Sequence, residues 1–497
     1  MDQVTYPSID WLAISPLIVL LGGMLPVLVV GALTRAWPRG WYAVAIFKLS
    51  IAAIVVEMFL WHDINQDGAR VVINDALSID HFTVFCWIVI TGALGLVALA
   101  STDYLRREDM EAPEPYAMYV CAALGAMIMT ASHDLVVMFL GLETLSIALY
   151  VLAASHRRRS ESQESGLKYF ILGGFASAFF LYGIALVYGV TGSTNIGGIS
   201  EVLSNEVYLK GDDAMLLAGV ALLLVGFAFK VAVAPFHFWT PDVYQGAPTP
   251  VTSFMASVGK LAAFAALLRV FGEALPSRAD DWRPVIWVLA VVSVVVGSLL
   301  AVVQTDVKRM LAYSSISHAG FIMIGVEAMG HPGDSDGVPA ALLYLAVYAV
   351  LVIGTFAVVA LVTRTGDANS DLGSFRGLGR QRPALALAMT VFLLAQAGMP
   401  TTSGFIAKFG VIKAAAENES YAVAIIAMVA SVIAAVLYLR IMISMWLADP
   451  ESGDEAWESV SVPLPAGIVI TAAAVFTLFV GVVPGWLIDA TRAALKV

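Results

Sequence analysis

Six ionisable side chains lie inside stretches that are otherwise almost wholly apolar. They are one carboxylate, three lysines and two histidines: Glu143, Lys230, Lys260, Lys408, His237 and His318. A charge at the centre of a bilayer costs about 3 kcal/mol or more, so it normally faces the bundle interior and has a partner or water. Burial lowers the pKa of a lysine and a nearby carboxylate raises it again, so a lysine between these influences can exchange a proton. The set predicts a path for protons or ions.

The same charges have a structural interpretation, in which buried ion pairs only hold helices together. Three lysines and one carboxylate fit it poorly, because the cations outnumber the anion. A buried histidine is as readily a satisfied core residue as a proton relay, so both roles stay open for His237 and His318. Lys48 and Glu57 are explained by snorkelling or local pairing, and Arg269, near the end of its segment, by snorkelling.

Prolines interrupt the two regions that carry Lys230 and Lys408. Pro235 removes a helical hydrogen bond and clashes with the preceding turn, and Pro250, in APTP, adds a further break. Pro400 interrupts the later region and is followed by TTSG. Interrupted helices at membrane depth are tolerated only where protein or water surrounds them, and they mark ion sites in transporters. The prolines therefore predict discontinuous helices beside the lysines.

The elements that position these residues are predicted to be membrane-spanning helices. The chain has 497 residues, of which 60% are hydrophobic and 13% charged. Apolar segments of about 20 residues recur along its whole length, which is the length that a helix needs to cross a bilayer. We predict an all-α polytopic membrane protein with about fourteen transmembrane helices, the seventh and twelfth discontinuous, at 12–33, 41–60, 80–100, 116–132, 134–154, 166–190, 214–236, 249–272, 285–303, 309–328, 339–363, 383–414, 420–447 and 463–489.

Other kinds of chemistry have no local support in the sequence. Cys86 and Cys121 both lie in apolar segments and form no CxxC pair, so they are expected to be core residues. Glycine-rich nucleotide loops, HExxH and GxSxG are not found. We therefore expect no cofactor in this chain and no nucleic-acid partner.

The distribution of basic residues predicts an orientation. With the N-terminus outside, the loops that then lie inside carry 14 Lys and Arg residues, and the outside loops and C-terminal tail carry 6. Cytoplasmic loops of membrane proteins carry such an excess. One inside loop, ADPESGDEAWESV, is acidic and departs from the rule. We expect a bacterial inner membrane protein with both termini on the periplasmic side.

An internal similarity indicates two related halves. TPVTSFMASVGK, at 249–260, resembles MPTTSGFIAKFG, at 399–410. An odd number of helices in each repeat would invert one copy relative to the other, as in many transporters. We predict four parts: a three-helix segment (1–110), two inverted five-helix repeats (111–275 and 276–448) and a final span (449–497).

Four segments together carry a resemblance to a known family. GLETLSIALYVL, GFAFKVAVAPFHFWTPDVYQGAPTPVTSFMASVGK, KRMLAYSSISHAGF and MPTTSGFIAKF resemble the antiporter-like membrane subunits of respiratory complex I, over nearly the whole chain. Lys408 differs from the glutamate that subunit M has at the matching place. The chain also ends soon after its predicted last span, whereas subunit L continues into a long lateral helix. The subunits of multi-subunit sodium antiporters share the fold.

The resemblance implies a mechanism and a role for each candidate residue. Glu143 matches the acidic partner of Lys230, Lys260 the central connecting lysine, Lys408 the lysine toward the exit, and His318 a histidine on the polar axis that joins them. It implies a proton-translocating subunit of NADH:quinone oxidoreductase that has no redox centre of its own. FMN, iron–sulfur clusters and quinone are then expected in partner subunits, and lipids and neighbouring antiporter-like subunits around this chain. The alternatives are a stand-alone or multi-subunit cation/proton antiporter and a purely structural subunit.

Overall fold

Helices make up nearly all of the regular structure. The computed structural model describes residues 9–34, 40–205, 213–334, 336–368, 370–449 and 462–495. In a bilayer, backbone N–H and C=O groups must be satisfied within the chain, so long apolar segments fold as helices. Within the described ranges the α-helices are Ser15–Leu33 (α1), Trp41–Asp67 (α2), His81–Arg107 (α3), Pro113–Ala131 (α4), Leu135–Ala153 (α5), Ser160–Thr191 (α6), Ile196–Ser204 (α7), Asp213–Val231 (α8), Trp239–Gly246 (α9), Thr249–Phe254 (α10), Lys260–Arg269 (α11), Ala279–Val303 (α12), Val307–Met329 (α13), Gly337–Thr363 (α14), Leu378–Gln381 (α15), Pro383–Ala397 (α16), Ser403–Glu417 (α17), Tyr421–Trp446 (α18), Leu464–Val482 (α19) and Gly485–Ala493 (α20).

Three long helices begin at aspartates whose side chains cap them. Asp80 accepts a hydrogen bond from the backbone N–H of Thr83 at the start of α3. Asp134 and Asp306 cap α5 and α13 in the same way. A capping carboxylate satisfies N–H groups that have no partner inside the helix. A short antiparallel hairpin, Arg70–Val72 (β1) with Leu77–Ile79 (β2), precedes α3.

The prediction of an all-helical membrane protein is confirmed. Eleven helical segments of the described chain are long and apolar enough to cross a membrane, and they include the continuous stretch Thr249–Ala274. The helices α4 and α13 and the interrupted pair α16 and α17 would bring the number to the predicted fourteen. That number, the inverted repeats and the four-part division stay predictions. The predicted side of the termini concerns 1–8 and 496–497, which lie outside the described residues.

Two elements form the centre of the helix bundle. The stretch Thr249–Ala274 is buried along its whole apolar length, and α14 is buried along nearly all of its own. The helix α14 packs against α3, α10, α13, α16, α17 and α19. A helix that is apolar all round is stable only when it is surrounded, which explains its position. Lys260 lies within this centre, on α11, and the helices α8 and α17, which carry Lys230 and Lys408, pack beside it.

The two predicted helix interruptions occur. The seventh span consists of α8 and α9, with Pro235 inside the seven-residue connection 232–238. The twelfth span consists of α16 and α17, with Pro400 in the connection 398–402. Gly398 has a φ of +90°, a left-handed conformation that glycine adopts without steric cost and that ends α16.

The prediction for Pro250 is wrong in its position, and an irregularity nearby was not predicted. The chain leaves α9 at Ala247 and Pro248, whereas Pro250 lies in the first turn of α10. Proline is tolerated there because the N–H groups of a first turn have no helical partner. Beyond α10 the helix widens to π-helical geometry over Met255–Gly259, immediately before Lys260. Such bulges are frequent at functional sites.

Candidate functional site

Lys230 is buried where α8 ends, and uncharged oxygens surround its ammonium group. Nζ donates to Ser146 Oγ on α5 at 2.7 Å and to Tyr169 OH on α6 at 3.3 Å. The same nitrogen lies 5.4 Å from the centre of the Tyr169 ring. The connection 232–238 follows directly, so the helix ends within two residues of the lysine. The break and the buried charge are therefore neighbours, as the sequence predicts.

Glu143 lies on α5, one helical turn from Ser146. It is half-buried and accepts a hydrogen bond from Ser177 Oγ on α6. Among the described residues no ion pair joins it to Lys230, and Ser146 is the α5 residue that contacts the lysine. The implied pairing of Glu143 with Lys230 stays a prediction. In this structure the carboxylate and the ammonium belong to the same interface of α5, α6 and α8 without touching.

Lys260 lies near the middle of the buried stretch Thr249–Ala274. Its Nζ donates to both the backbone oxygen and the hydroxyl of Ser315 on α13, each at 2.6 Å. It also lies 5.5 Å from the centre of the Tyr348 ring on α14. The contact between Lys260 and Ser315 could not be predicted from the sequence, because the two residues are 55 positions apart.

His318 is held between two tyrosine hydroxyls. Nδ1 is 2.6 Å from Tyr344 OH, and Nε2 is 3.1 Å from Tyr438 OH. The hydroxyl of Tyr438 also lies 2.6 Å from Ser314 Oγ. Each of these groups can donate or accept, so the row Ser314, Tyr438, His318 and Tyr344 can reverse its hydrogen bonds. This arrangement favours a relay more than a packing role for His318.

Lys408 lies on α17 beside the second interruption. Its Nζ donates to the backbone oxygen of Ala397, the last residue of α16, at 3.2 Å. It also lies 4.9 Å from the centre of the Phe321 ring on α13. A carbonyl that the helix break leaves without its usual donor therefore binds the lysine. The interruption at Pro400 supplies this acceptor.

A series of ring contacts joins Lys260 to Lys408 through His318. The ring of Tyr348 is 4.9 Å from that of His318, and the rings of Tyr344 and Phe321 are 6.3 Å apart. The members in spatial order are Lys260, Tyr348, His318, Tyr344, Phe321 and Lys408. Three of the predicted site residues therefore belong to one buried cluster.

His237 lies apart from that cluster, in the connection between α8 and α9. Its ring is buried and stacks on Phe238 with centroids 4.7 Å apart. Tyr313 of α13 is 6.4 Å away. The relay and packing roles of His237 both remain open.

A buried carboxylate network that was not predicted surrounds Asp367, near Lys308 in the first turn of α13. Asp367 accepts hydrogen bonds from two cations, Lys308 at 3.3 Å and Arg159 at 3.1 Å. Its other donors are Tyr104 OH, the N–H and Oγ1 of Thr249, and Thr363 Oγ1. Burial acts to raise the pKa of Asp367, but Lys308 and the further donors outweigh it and hold the pKa below its usual value. The residue fixes α10, α13 and α14 to one another.

The interpretation of Arg269 as a snorkelling residue is wrong. Its side chain is 1% exposed, and Nη2 donates to both oxygens of Asp80 at 3.1 and 3.0 Å. Nη1 pairs with Glu273, and Nε donates to the backbone oxygen of Thr130. A position near a helix end does not reveal which face the residue occupies. Arg269 lies on the face of α11 that packs against Asp80, the N-cap residue of α3.

Of the two explanations predicted for Lys48 and Glu57, the structure agrees with snorkelling for Lys48 and not with local pairing. Lys48 is exposed on α2. Glu57 is fully buried and accepts from Thr91 Oγ1 at 2.8 Å. Among the described residues no ion pair joins the two. Throughout the ranges that the structure describes, no group of three or more His, Cys, Asp or Glu residues could hold a metal ion.

Comparison with known proteins decides the family. The family profile described as NADH:quinone oxidoreductase/Mrp antiporter, TM, matches residues 132–434. NADH-quinone oxidoreductase subunit N of Trichlorobacter lovleyi is 41% identical over 423 residues, 85% of either chain. Subunit N 1 of Herpetosiphon aurantiacus is 38% identical over 499 residues, 99% of either chain. The chain belongs to the NADH-quinone oxidoreductase subunit N family. The family resemblance inferred from the sequence is thereby confirmed.

Solved structures agree with membership of the subunit N family. A chain of respiratory complex I from Thermus thermophilus with bound aureothin superposes with a TM-score of 0.80 at 33% identity, covering 96% of this chain and 99% of that one. A chain of the Mrp complex from Dietzia superposes with a TM-score of 0.83 at 20% identity, covering 97% of this chain and 96% of that one. The second likeness shows the shared antiporter-like fold alone.

Proposed function

We propose that this chain translocates protons across the membrane as a subunit of a respiratory NADH:quinone oxidoreductase. One observation carries the proposal. Lys230, Lys260 and Lys408 are all buried, and among the described residues none of them is ion-paired with a carboxylate. A permanent structural role would call for such a partner, because an unpaired charge in a dry interior is costly. Hydroxyl and carbonyl oxygens suit a nitrogen that alternates between ammonium and amine.

The arrangement supports a stepwise transfer through two half-channels. A change at Glu143 acts on Lys230 across one turn of α5. A proton passes on to Lys260, and the hydroxyl and imidazole row around His318 carries it toward Lys408. Each hydroxyl and imidazole in that row can accept on one side and donate on the other. The redox chemistry takes place elsewhere, and FMN, iron–sulfur clusters and quinone are assigned to partner subunits.

The first test replaces Lys230 in the assembled complex. Lys230→Met has a similar shape but no exchangeable proton, so protons moved per electron should fall while the complex still assembles. The number of protons moved per electron should fall as far in Lys230→Arg, because arginine stays protonated. Proton uptake and NADH oxidation are measured together in inverted membrane vesicles.

Lys413→Met is the matched control. Lys413 is on α17, is 41% exposed, and pairs with Asp336 and Glu417 outside the buried cluster. The Lys413→Met variant should leave the proton-to-electron ratio unchanged. If Lys230→Met retains the full ratio in an assembled complex, Lys230 has no part in translocation.

A cation/proton antiporter is the second candidate, because the matching family profile includes Mrp antiporters and the fold superposes on an Mrp chain. The identities favour the first candidate, with 33% against the Thermus thermophilus chain and 20% against the Dietzia chain. Reconstitution of the purified chain in vesicles separates the two. Sodium transport without partner subunits would establish the antiporter. Co-purification in mild detergent with flavin and iron–sulfur subunits would establish the oxidoreductase.

A further inference from the structure

The short helix α9 carries an aspartate that contacts two different helices. One oxygen of Asp242, Oδ2, accepts from Lys168 Nζ on α6 at 2.7 Å. The other, Oδ1, accepts from Arg309 Nη1 on α13 at 2.7 Å. Gln245, one turn further along α9, also accepts from Arg309, at 3.2 Å. The carboxylate therefore bridges α6 and α13, which have no other ion pair between them among the described residues.

Both helices that Asp242 bridges bind one of the buried lysines. The residue after Lys168 on α6 is Tyr169, whose hydroxyl accepts from Lys230. Six residues beyond Arg309 on α13 is Ser315, which binds Lys260 through two oxygens. Asp242 is thus a charged link between the surroundings of the first lysine and those of the second.

The helix α9 also contacts the Lys230 site directly. The ring of Trp239 stacks on that of Tyr169, with centroids 4.6 Å apart and an interplanar angle of 10°. Its Nε1 donates to the backbone oxygen of Phe229, the residue before Lys230, at 3.0 Å. A shift of α9 along α6 would therefore move the tyrosine that holds the lysine.

The chain on either side of α9 is not helical, so side chains must fix its position. The helix α9 follows the connection 232–238 and ends at Gly246, and Ala247 and Pro248 separate it from α10. A Cβ at Gly246 would overlap Ser165 Oγ and the Glu161 backbone oxygen, so α9 packs closely on α6. Lys308 Nζ donates to the Ala247 oxygen at 2.7 Å and holds the far end.

Each carboxylate oxygen of Asp242 accepts one hydrogen bond from a cationic side chain, Oδ2 from Lys168 and Oδ1 from Arg309. The side chain is 37% exposed and borders a polar cavity of about 550 Å³ that Arg159 and Asp367 also line. Ion pairs this exposed contribute little to folding stability. The contribution of these ion pairs is to fix the position of α9 relative to α6 and α13.

We propose that Asp242 is a positioning residue that couples the Lys230 site to the Lys260 site by fixing α9 between α6 and α13. The proposal rests on the proposed function for its effect on proton movement, but the position of α9 is a separate and measurable property. Removing the charge loosens α9, releases Tyr169 from its stacking partner, and leaves the two lysine sites moving independently.

The experiment compares Asp242→Asn, Asp242→Glu and Glu164→Gln in the assembled complex. Glu164 is the matched control, because it also pairs with Lys168 at 2.7 Å but reaches neither α9 nor α13. Two readouts are taken: protons moved per electron, and amide hydrogen exchange of 239–246 by mass spectrometry. Asp242→Asn should raise the exchange of that segment several-fold and lower the proton ratio, with Asp242→Glu restoring both and Glu164→Gln changing neither.

A double variant separates this proposal from the proposed function. If Asp242 acts through the lysine sites, Asp242→Asn adds no further loss of pumping to Lys230→Met. Full pumping in Lys230→Met would overturn the proposed role of Lys230 in translocation, whereas the exchange of 239–246 would still test the bridge. Unchanged exchange and pumping in Asp242→Asn, or a complex that no longer assembles, would overturn the bridge alone, because the proposal requires an intact fold.

Discussion

At the scale of single residues, the three buried lysines share an environment of uncharged oxygens. Serine and tyrosine hydroxyls hold Lys230, the backbone and hydroxyl oxygens of Ser315 hold Lys260, and a carbonyl freed by a helix break holds Lys408. Each nitrogen also faces an aromatic ring at 4.9 to 5.5 Å, which stabilises the ammonium form without adding a negative charge. Such surroundings are what the proposed alternation between ammonium and amine requires.

The row around His318 gives a prediction that concerns one oxygen atom. Tyr438→Phe removes the hydroxyl between Ser314 and His318 and leaves the ring packing nearly unchanged. We expect slower proton transfer in vesicles with normal assembly, because the row loses its connection on the Nε2 side. Tyr421→Phe, at a ring that is 59% exposed on the same helix, is the control. An unchanged rate for Tyr438→Phe would mean that protons do not use this row.

The sequence predicts which lysines are buried but not which groups contact them. The cost of burying a charge singled out Lys230, Lys260 and Lys408, since it depends only on the apolar segment around each lysine. The partners of these lysines are 84, 55 and 11 positions away, and the first two contacts depend on helix packing. Arg269 was misread for the same reason, because its partner Asp80 is 189 positions distant.

At the scale of elements, the interruptions and caps position the chemistry. Proline and glycine determine where α8 and α16 end, so those breaks were predictable from local sequence. The π-helical segment before Lys260 was not, because no proline or glycine pattern marks Met255–Gly259 apart from its last residue. The helix α9, whose Asp242 bridges two neighbours, could be placed only once those neighbours were known.

The buried pair of Arg269 with Asp80 gives a prediction about the stability of α3 and α11. Arg269→Met leaves the Asp80 carboxylate buried without its cation, which typically costs about 3–5 kcal/mol. We expect a lower unfolding temperature of the purified complex and less assembled protein. Arg492→Met is the control, because Arg492 is 56% exposed and pairs with Asp336 at 3.6 Å. Its loss should cost about 1 kcal/mol or less. Equal effects of the two would contradict the account of the buried pair.

At the scale of the whole molecule, α14 and the stretch Thr249–Ala274, which carries Lys260, form a buried centre, and the helices that carry Lys230 and Lys408 pack beside it. Hydropathy alone gave most of the span positions, because a bilayer imposes the same length on every crossing. The inverted repeats remain a prediction from two short similar segments. In both segments a lysine follows a proline, but Pro400 lies at a helix interruption whereas Pro250 lies in the first turn of α10.

The whole account depends on Lys260, because the proposed path leads from the Lys230 site to Lys260 and then through the cluster around His318 to Lys408. The most direct measurement is the number of protons moved per electron in vesicles that contain the assembled complex with Lys260→Met. We predict that this ratio falls while NADH oxidation continues, because the replaced side chain fills the same space without carrying a proton. A ratio equal to that of the unaltered complex would contradict the proposal that protons cross through the buried lysines.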